Sequence, residues 1–339
     1  MDKLMVFDGN FEAELRNHLS TTKNLGRQFA VKALEFDRLA VYKTHLAYLH
    51  AGAQIIRTNT KRVIMNSLKR RKYFTTFQES SIDIAVKLAK QAITKYYEEV
   101  RGDSASEDFS KHRPLLAGCC GSYSVWNFFN ISDIRKNLKN MSQSEMYWFH
   151  KIRVKKLMEA GVDLLTFESI PCHNEAKAIR RLLMNCPDAR AWITFLCSQE
   201  GKLIDGSNFA TVATDFYDSL PNQIVAIGVE GVTFDSMKLM MQDVNGIRDI
   251  KIPFVLYVEK RHFPITDGIG ASSSVARNFA EEWINEGVRY FGGSTDIVAD
   301  NIKKIRKEVD KYCASTGMVF TPLKVRVCSH RDKDNQSKL

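Results

Sequence analysis

The sequence predicts a single (β/α)8 barrel, on three observations. Eight short aliphatic or β-branched runs alternate with longer segments of helical period, which is the pattern of repeated βα units. The runs are apolar nearly throughout, as strands covered on both faces require, and this favours a closed parallel barrel over an open doubly wound sheet. No run is followed by GxGxxG or GxxxxGK[ST], so the phosphate-cradling turns of nucleotide-binding open sheets are missing. A chain of 339 residues, 44% hydrophobic and 26% charged, accommodates one such barrel with extended loops.

The first unit opens with LMVF (4–7) and reaches its helix within 27–50. QIIRT (54–58) with a helix in 79–100 makes the second, and LLAGC (115–119) with a helix in 142–160 the third. In that third helix Met146, Phe149, Ile152, Arg153 and Leu157 form a stripe at spacings of three and four, closed by Gly161. DLLTFE (163–168), AWITFL (191–196), IVAIGV (224–229), PFVLYV (253–258) and VRYFGG (288–293) follow, with helices in 174–185, 207–219, 234–245, 273–286 and 297–312 respectively. The longer pieces 59–78, 120–141 and 259–272 follow strands, so they belong to the face where barrel enzymes carry their sites. RGDSASEDFSKHR (101–113) precedes a strand and is expected to be a flexible loop on the opposite face. The barrel is assigned to 1–318 and an appended basic tail to 319–339.

Composition narrows the functional classes. No run of eighteen uncharged apolar residues occurs, and MDKLMVFDG reads as a strand rather than a signal peptide, so a cytoplasmic protein that does not act at a membrane is expected. Seven cysteines, an odd number without a small-domain framework, suit free thiols in a reducing compartment. The net charge of +10 is dispersed, with concentrations from Lys61 to Lys72, from Lys151 to Lys156 and from Lys324 to Lys338. None interleaves aromatics as a nucleic-acid stacking platform would, so a solvated basic face is expected and no nucleic-acid partner.

The residues just after the strands are Asp8 and Gly9, Asn59, Cys119 to Gly121, Glu168, Cys197, Glu230 and Gly231, Glu259, and Ser294 with Thr295. Asp8 reads as a helix N-cap or a ligand-binding carboxylate, and Glu168 as a barrel-mouth salt bridge or a second such carboxylate. Cys119, Cys120, Cys172 and Cys197 lie at neighbouring strand ends, with His173 beside Cys172. Adjacent Cys119 and Cys120 should point to opposite sides of a strand, and no CxxC occurs; buried free thiols are therefore favoured over a new metal or redox site.

Six segments add specificity. DGNFEAEL at Asp8, AGAQIIRTNT (51–60), AGCCGSY (117–123), GVDLLTFESIP (161–171), AIGVEG (226–231) and FGGST (291–295) stand in this order along the chain. Together, from about residue 4 to residue 310, they resemble the homocysteine S-methyltransferase family, whose matching motifs are a DGG-type opening, a strand ending TNTY, AGSxGPY, GVDLxxxETxP, AIGVNC and GGCC. The resemblance implies a barrel that binds homocysteine, whose thiolate completes a three-cysteine zinc site and accepts a methyl group from S-methylmethionine, betaine or a related donor. It assigns substrate binding to Asp8, Gly9 and Glu168, where a ligand ammonium group would find charge-assisted partners.

The zinc positions depart from the family. They fall on Gly231, Ser294 and Thr295, and neither an absent side chain nor a neutral hydroxyl suits an ion that selects thiolate, imidazole or carboxylate. An unassisted thiol is only about 3% ionised at pH 7, so losing the metal removes roughly 30-fold of nucleophile before positioning is counted. The expectation is a family member without zinc or other cofactor that retains an amino-acid ligand such as homocysteine. The alternative is a working methyltransferase with a remodelled site. Val258 and Glu259 replace the family's proline and asparagine, His262 reads as a surface loop residue, and Glu230 in place of asparagine either binds a cation or amine or pairs with Lys260 and Arg261.

Overall fold

A computed structural model describes residues 4–21, 26, 28–63, 76–127, 130–259 and 279–317. Its strands are β1 (Met5–Val6), β2 (Ile55–Arg57), β3 (Leu115–Cys119), β4 (Leu164–Ile170), β5 (Ala191–Leu196), β6 (Ile224–Glu230), β7 (Phe254–Val258) and β8 (Val288–Gly293). They pair in parallel in the order β1-β8-β7-β6-β5-β4-β3-β2. A parallel bridge between Phe7 and Ile55 joins the two ends, backed by Asp8 N donating to Ile55 O at 3.0 Å and Gln54 N to Val6 O at 2.7 Å. The sheet is therefore a barrel, as the count of βα units requires.

The helices alternate with the strands. After β1 come α1 (Phe11–Leu15), α2 (Phe29–Phe36) and α3 (Arg38–His50); after β2, α4 (Thr76–Val100) and the short α5 (Glu107–His112). After β3 stand α6 (Tyr123–Asn127), α7 (Ile131–Asn137) and α8 (Gln143–Glu159). The later units carry α9 (His173–Met184), α10 (Phe209–Ser219), α11 (Phe234–Asn245), α12 (Phe279–Asn285) and α13 (Ala299–Thr316). The segment 101–113 is thus not wholly a loop: Glu107 and Asp108 in the first turn of α5, and Lys111 and His112 in its last, favour a helix through the macrodipole. In α8 Ser142 and Glu145 form a reciprocal capping box, which sets where the helix begins. Arg153, placed with the apolar stripe by its spacing, is fully buried, with its guanidinium 4.5 Å from the Phe149 ring centroid. The tail from 319, His262 and the basic run Lys69–Lys72 lie outside the described residues.

Strand parity sorts the core into two layers. Met5, Phe7, Ile55, Leu115, Ala117, Leu164, Trp192, Ala226, Val255, Tyr257 and Tyr290 fill the barrel interior, while their strand neighbours, such as Ile56, Leu116, Leu165, Ile193, Ile227 and Leu256, face the helices. Successive side chains point to opposite sides of a strand. Continuing that alternation upward turns Arg57, Cys119, Glu168, Glu230 and Tyr257 inward at the C-terminal end. Trp192 is the largest fully buried side chain and donates its indole N–H to the Tyr257 hydroxyl at 3.0 Å, so it both fills the interior and supports the layer above. Trp192→Ala is expected to lower unfolding free energy by about 3–5 kcal/mol, measured by urea denaturation. A loss below about 1 kcal/mol would show that the interior is not packed around this ring.

Candidate functional site at the barrel mouth

The C-terminal end of the barrel holds a cavity of about 220 Å³, lined among others by Asp8, Gly9, Arg57, Lys61, Cys119, Glu168, Glu230, Tyr257 and Ser294. Its volume lies below the roughly 300–1,000 Å³ of drug-sized ligand pockets and suits a small metabolite. A more open groove of about 480 Å³ runs along α4 to Ala160, on the outer helical layer and away from the strand ends.

Asp8, Gly9 and Glu168 do come together here, through a residue the sequence reading passed over. Arg57, the last residue of β2, donates from Nε to Asp8 Oδ1 at 2.6 Å and from Nη1 to Glu168 Oε1 at 2.9 Å. Its Nη2 donates to Gly9 O at 2.6 Å and to Gly293 O at 3.3 Å, and its backbone N–H donates to Asp8 Oδ2 at 2.7 Å. The guanidinium carbon lies 5.1 Å from the ring centroids of both Phe7 and Tyr257, an aromatic cradle suited to a planar cation. An Arg in an otherwise aliphatic run was the available signal; attention to the residue after the strand, Asn59, missed it. Asn59 lines the same cavity and donates to Ala30 O at 3.0 Å.

Two readings of Asp8 and Glu168 are now decided. Asp8 is not the helix N-cap: Asn10 fills that position, accepting from Ala13 N at 2.9 Å. Glu168 is in a barrel-mouth ion pair, with Arg57 and with Lys61, whose Nζ lies 3.3 Å from Oε2. Glu168 also accepts from the Tyr257 hydroxyl at 2.9 Å. Burial works against the Glu168 anion, but the charges of Arg57 and Lys61 outweigh it and bring its pKa down to about 2. For Asp8 burial prevails and pushes the pKa up, against the pull of Arg57. Burial opposes the Arg57 cation too, yet the two carboxylates raise its pKa well above the ordinary value, so the guanidinium is a permanent charge. Gly9 is needed for packing, since a Cβ there would stand 2.1 Å from Ile297 O.

The four cysteines are buried free thiols that do not converge. Cys119 faces the cavity, whereas Cys120 and Cys197 belong to the outer layer and Cys172 to a cluster with Met146 and Ile134. Burial raises the pKa of each; those of Cys119 and Cys172 reach about 12. Among the described residues no three His, Cys, Asp or Glu side chains stand together as a metal ion would require. His173 opens α9, its backbone N–H donating to Asp205 Oδ2 at 2.8 Å.

Glu230 completes the rim. It accepts from Ser169 N at 3.2 Å, from Ser169 Oγ at 2.8 Å and from Thr194 Oγ1. Beside it Gly231 has φ +84°, and a Cβ there would meet Leu196 Cδ1 at 2.8 Å. Ser294 lines the cavity, and its neighbour Thr295 is exposed.

A model of the homocysteine S-methyltransferase family matches residues 5–309. The chain is 30% identical over 320 residues to the betaine-homocysteine S-methyltransferase of Drosophila melanogaster, covering 91% of this chain and 94% of that protein. It is 27% identical over 310 residues to the homocysteine S-methyltransferase YbgG of Bacillus subtilis, covering 89% and 93%. The metallated form of the homocysteine methyltransferase MmuM from Escherichia coli superposes with a TM-score of 0.71 at 23% identity, covering 91% of this chain and 96% of that one. At that identity the likeness speaks for the fold.

The depressed pKa of Glu168 has a consequence for stability. A carboxylate whose folded pKa lies below its unfolded value stabilises the fold above the unfolded value, about 4.5, and loses that contribution as pH falls through about 2. The difference in unfolding free energy between the native chain and Glu168→Gln is therefore expected to shrink by on the order of 2–3 kcal/mol from pH 6 to pH 2. A difference independent of pH, measured by urea denaturation at stepped pH, would show that Glu168 is not held as the paired anion.

Proposed function

The chain belongs to the homocysteine S-methyltransferase family, and on that premise we propose that it binds a small amino acid of the homocysteine or methionine type at the barrel mouth and does not transfer methyl groups by zinc-thiolate chemistry. The observation that carries this reading is the contrast between two parts of one rim. Asp8, Gly9 and Glu168 stand together around the cavity and, with Arg57 held between the carboxylates, charge its wall, while the positions that the family likeness assigns to zinc hold Gly231, Ser294 and Thr295.

The fit of a zinc ion to these residues is poor on chemical grounds. Gly231 offers no donor, and a larger side chain there meets both the left-handed backbone and Leu196. Neutral hydroxyls at 294 and 295 bind a borderline-soft ion weakly. The cavity thiol of Cys119 has its pKa pushed up to about 12 by burial, so without a metal it stays protonated at neutral pH and is a poor nucleophile. What remains is a charged, small, partly enclosed cavity suited to a zwitterion. The free buried thiols suit a reducing compartment such as the cytoplasm.

Two measurements on the purified full chain test the two halves. Metal analysis should find substoichiometric zinc, and homocysteine mixed with S-methylmethionine or betaine should yield no methionine above the uncatalysed rate. Methionine and homocysteine should raise the melting temperature, with a stabilisation of about 2.7 kcal/mol at a hundredfold excess over Kd. Stoichiometric zinc with turnover would refute the first half. Melting curves unchanged by either amino acid at millimolar concentration would refute the second.

A further inference from the structure

Arg57 already occupies the space between Asp8 and Glu168 that a ligand ammonium group would take. Removing one partner of a buried ion pair leaves an unpaired charge in the interior, so a weakly bound amine does not displace it. The remaining Glu168 oxygen, Oε2, faces Lys61. Asp8 and Glu168 thus shape and charge the cavity without being its open cation acceptors.

Glu230 differs from both. It lines the same cavity, and among the described residues its oxygens accept from the uncharged donors of Ser169 and Thr194 and no Lys or Arg forms an ion pair with it; Lys260 and Arg261, the partners expected from the sequence, lie outside the described residues. The donors are held there at a cost. Ser169 has φ +60°, a left-handed conformation that strains a residue bearing a side chain. It sits where the β4–β5 register shifts between Phe167 and Ile170; its hydroxyl donates to Glu230, and its N–H is shared between Thr194 Oγ1 at 2.9 Å and Glu230 at 3.2 Å. These neutral donors fix the carboxylate's direction, and its charge bears on the Lys61 ammonium, with no ion pair between the two among the described residues. Lys61 complements it: its side chain is 43% exposed, and among the described residues its ion pair is with Glu168; its ammonium has three N–H donors that can also reach a ligand.

We propose that Glu230 is the ammonium seat and Lys61 the carboxylate seat of the cavity, with Arg57 an internal cation filling the Asp8–Glu168 position, so that the ligand is an α-amino acid read from the β6 side of the mouth. This rests on the amino-acid reading above and names the groups that make it. Glu230 is a specificity determinant for the amine, Lys61 one for the acid, and Asp8 with Glu168 acts through Arg57.

Calorimetric titration of the full chain tests it with three probes: methionine, its deaminated analogue 4-(methylthio)butanoate, and its decarboxylated analogue 3-(methylthio)propylamine. Glu230→Gln should weaken methionine and the amine at least about tenfold, equivalent to about 1.4 kcal/mol, while leaving the deaminated acid within about twofold. Lys61→Met should weaken methionine and the acid but not the amine. Glu230→Asp keeps the charge and should retain amine preference, which guards against a folding defect in Glu230→Gln; melting curves check both variants. Methionine binding that survives Glu230→Gln and is lost in Asp8→Asn would overturn the assignment while leaving the amino-acid reading intact. Absence of binding by all three probes to the native chain would overturn that reading and this assignment with it.

Discussion

A guanidinium buried between two carboxylates sets the conditions for everything else at the mouth of this barrel. Arg57, Asp8 and Glu168 come from β2, from the residues after β1 and from β4, so the triad exists only when the ring of strands is closed. Each charge would be costly alone in the interior. Together they are satisfied by one another, by the Gly9 and Gly293 carbonyls and by the Tyr257 hydroxyl. The layer beneath, with Trp192 donating to that same hydroxyl, fixes the height at which the charges sit.

This arrangement determines the chemistry available to the cavity. Its cations hold Glu168 ionised, while burial keeps the Cys119 thiol protonated. The mouth therefore presents fixed charges and hydrogen-bond donors to whatever enters it. The family motifs persist around it in a telling way. Gly9 is retained where a Cβ would strike the Ile297 carbonyl, a demand of the backbone that holds whatever the cavity binds. Gly231 likewise answers to the backbone, with a left-handed φ and a Cβ that would meet Leu196.

Ser169 illustrates how the barrel itself creates functional geometry. A register shift beside it lets a single residue adopt a backbone conformation uncommon for serine, and both its polar groups turn to Glu230. Strain of this kind persists only where the surroundings over-determine it; here parallel strands on either side supply that constraint. The rim is thus asymmetric among the described residues, with carboxylates in ion pairs on the β1–β2 side and, on the β6 side, a carboxylate held by neutral donors.

The amino-acid sequence alone determined the barrel, because eight runs of apolar residues separated by helical segments have few other ways to bury both strand faces. It also determined the strand ends at which Asp8, Gly9 and Glu168 would appear, and that Cys119 and Cys120 would part company, since the period of a strand is two residues. Only the tertiary structure decided what those carboxylates face. Arg57 lies 49 positions from Asp8 and 111 from Glu168 along the chain, so no local pattern relates them. Nor does any local signal distinguish the Asn10 cap from an Asp8 cap, or show α5 folding within a polar segment. Parity and spacing are properties of one strand or helix at a time, whereas the partner of a charge is set by the closure of the ring.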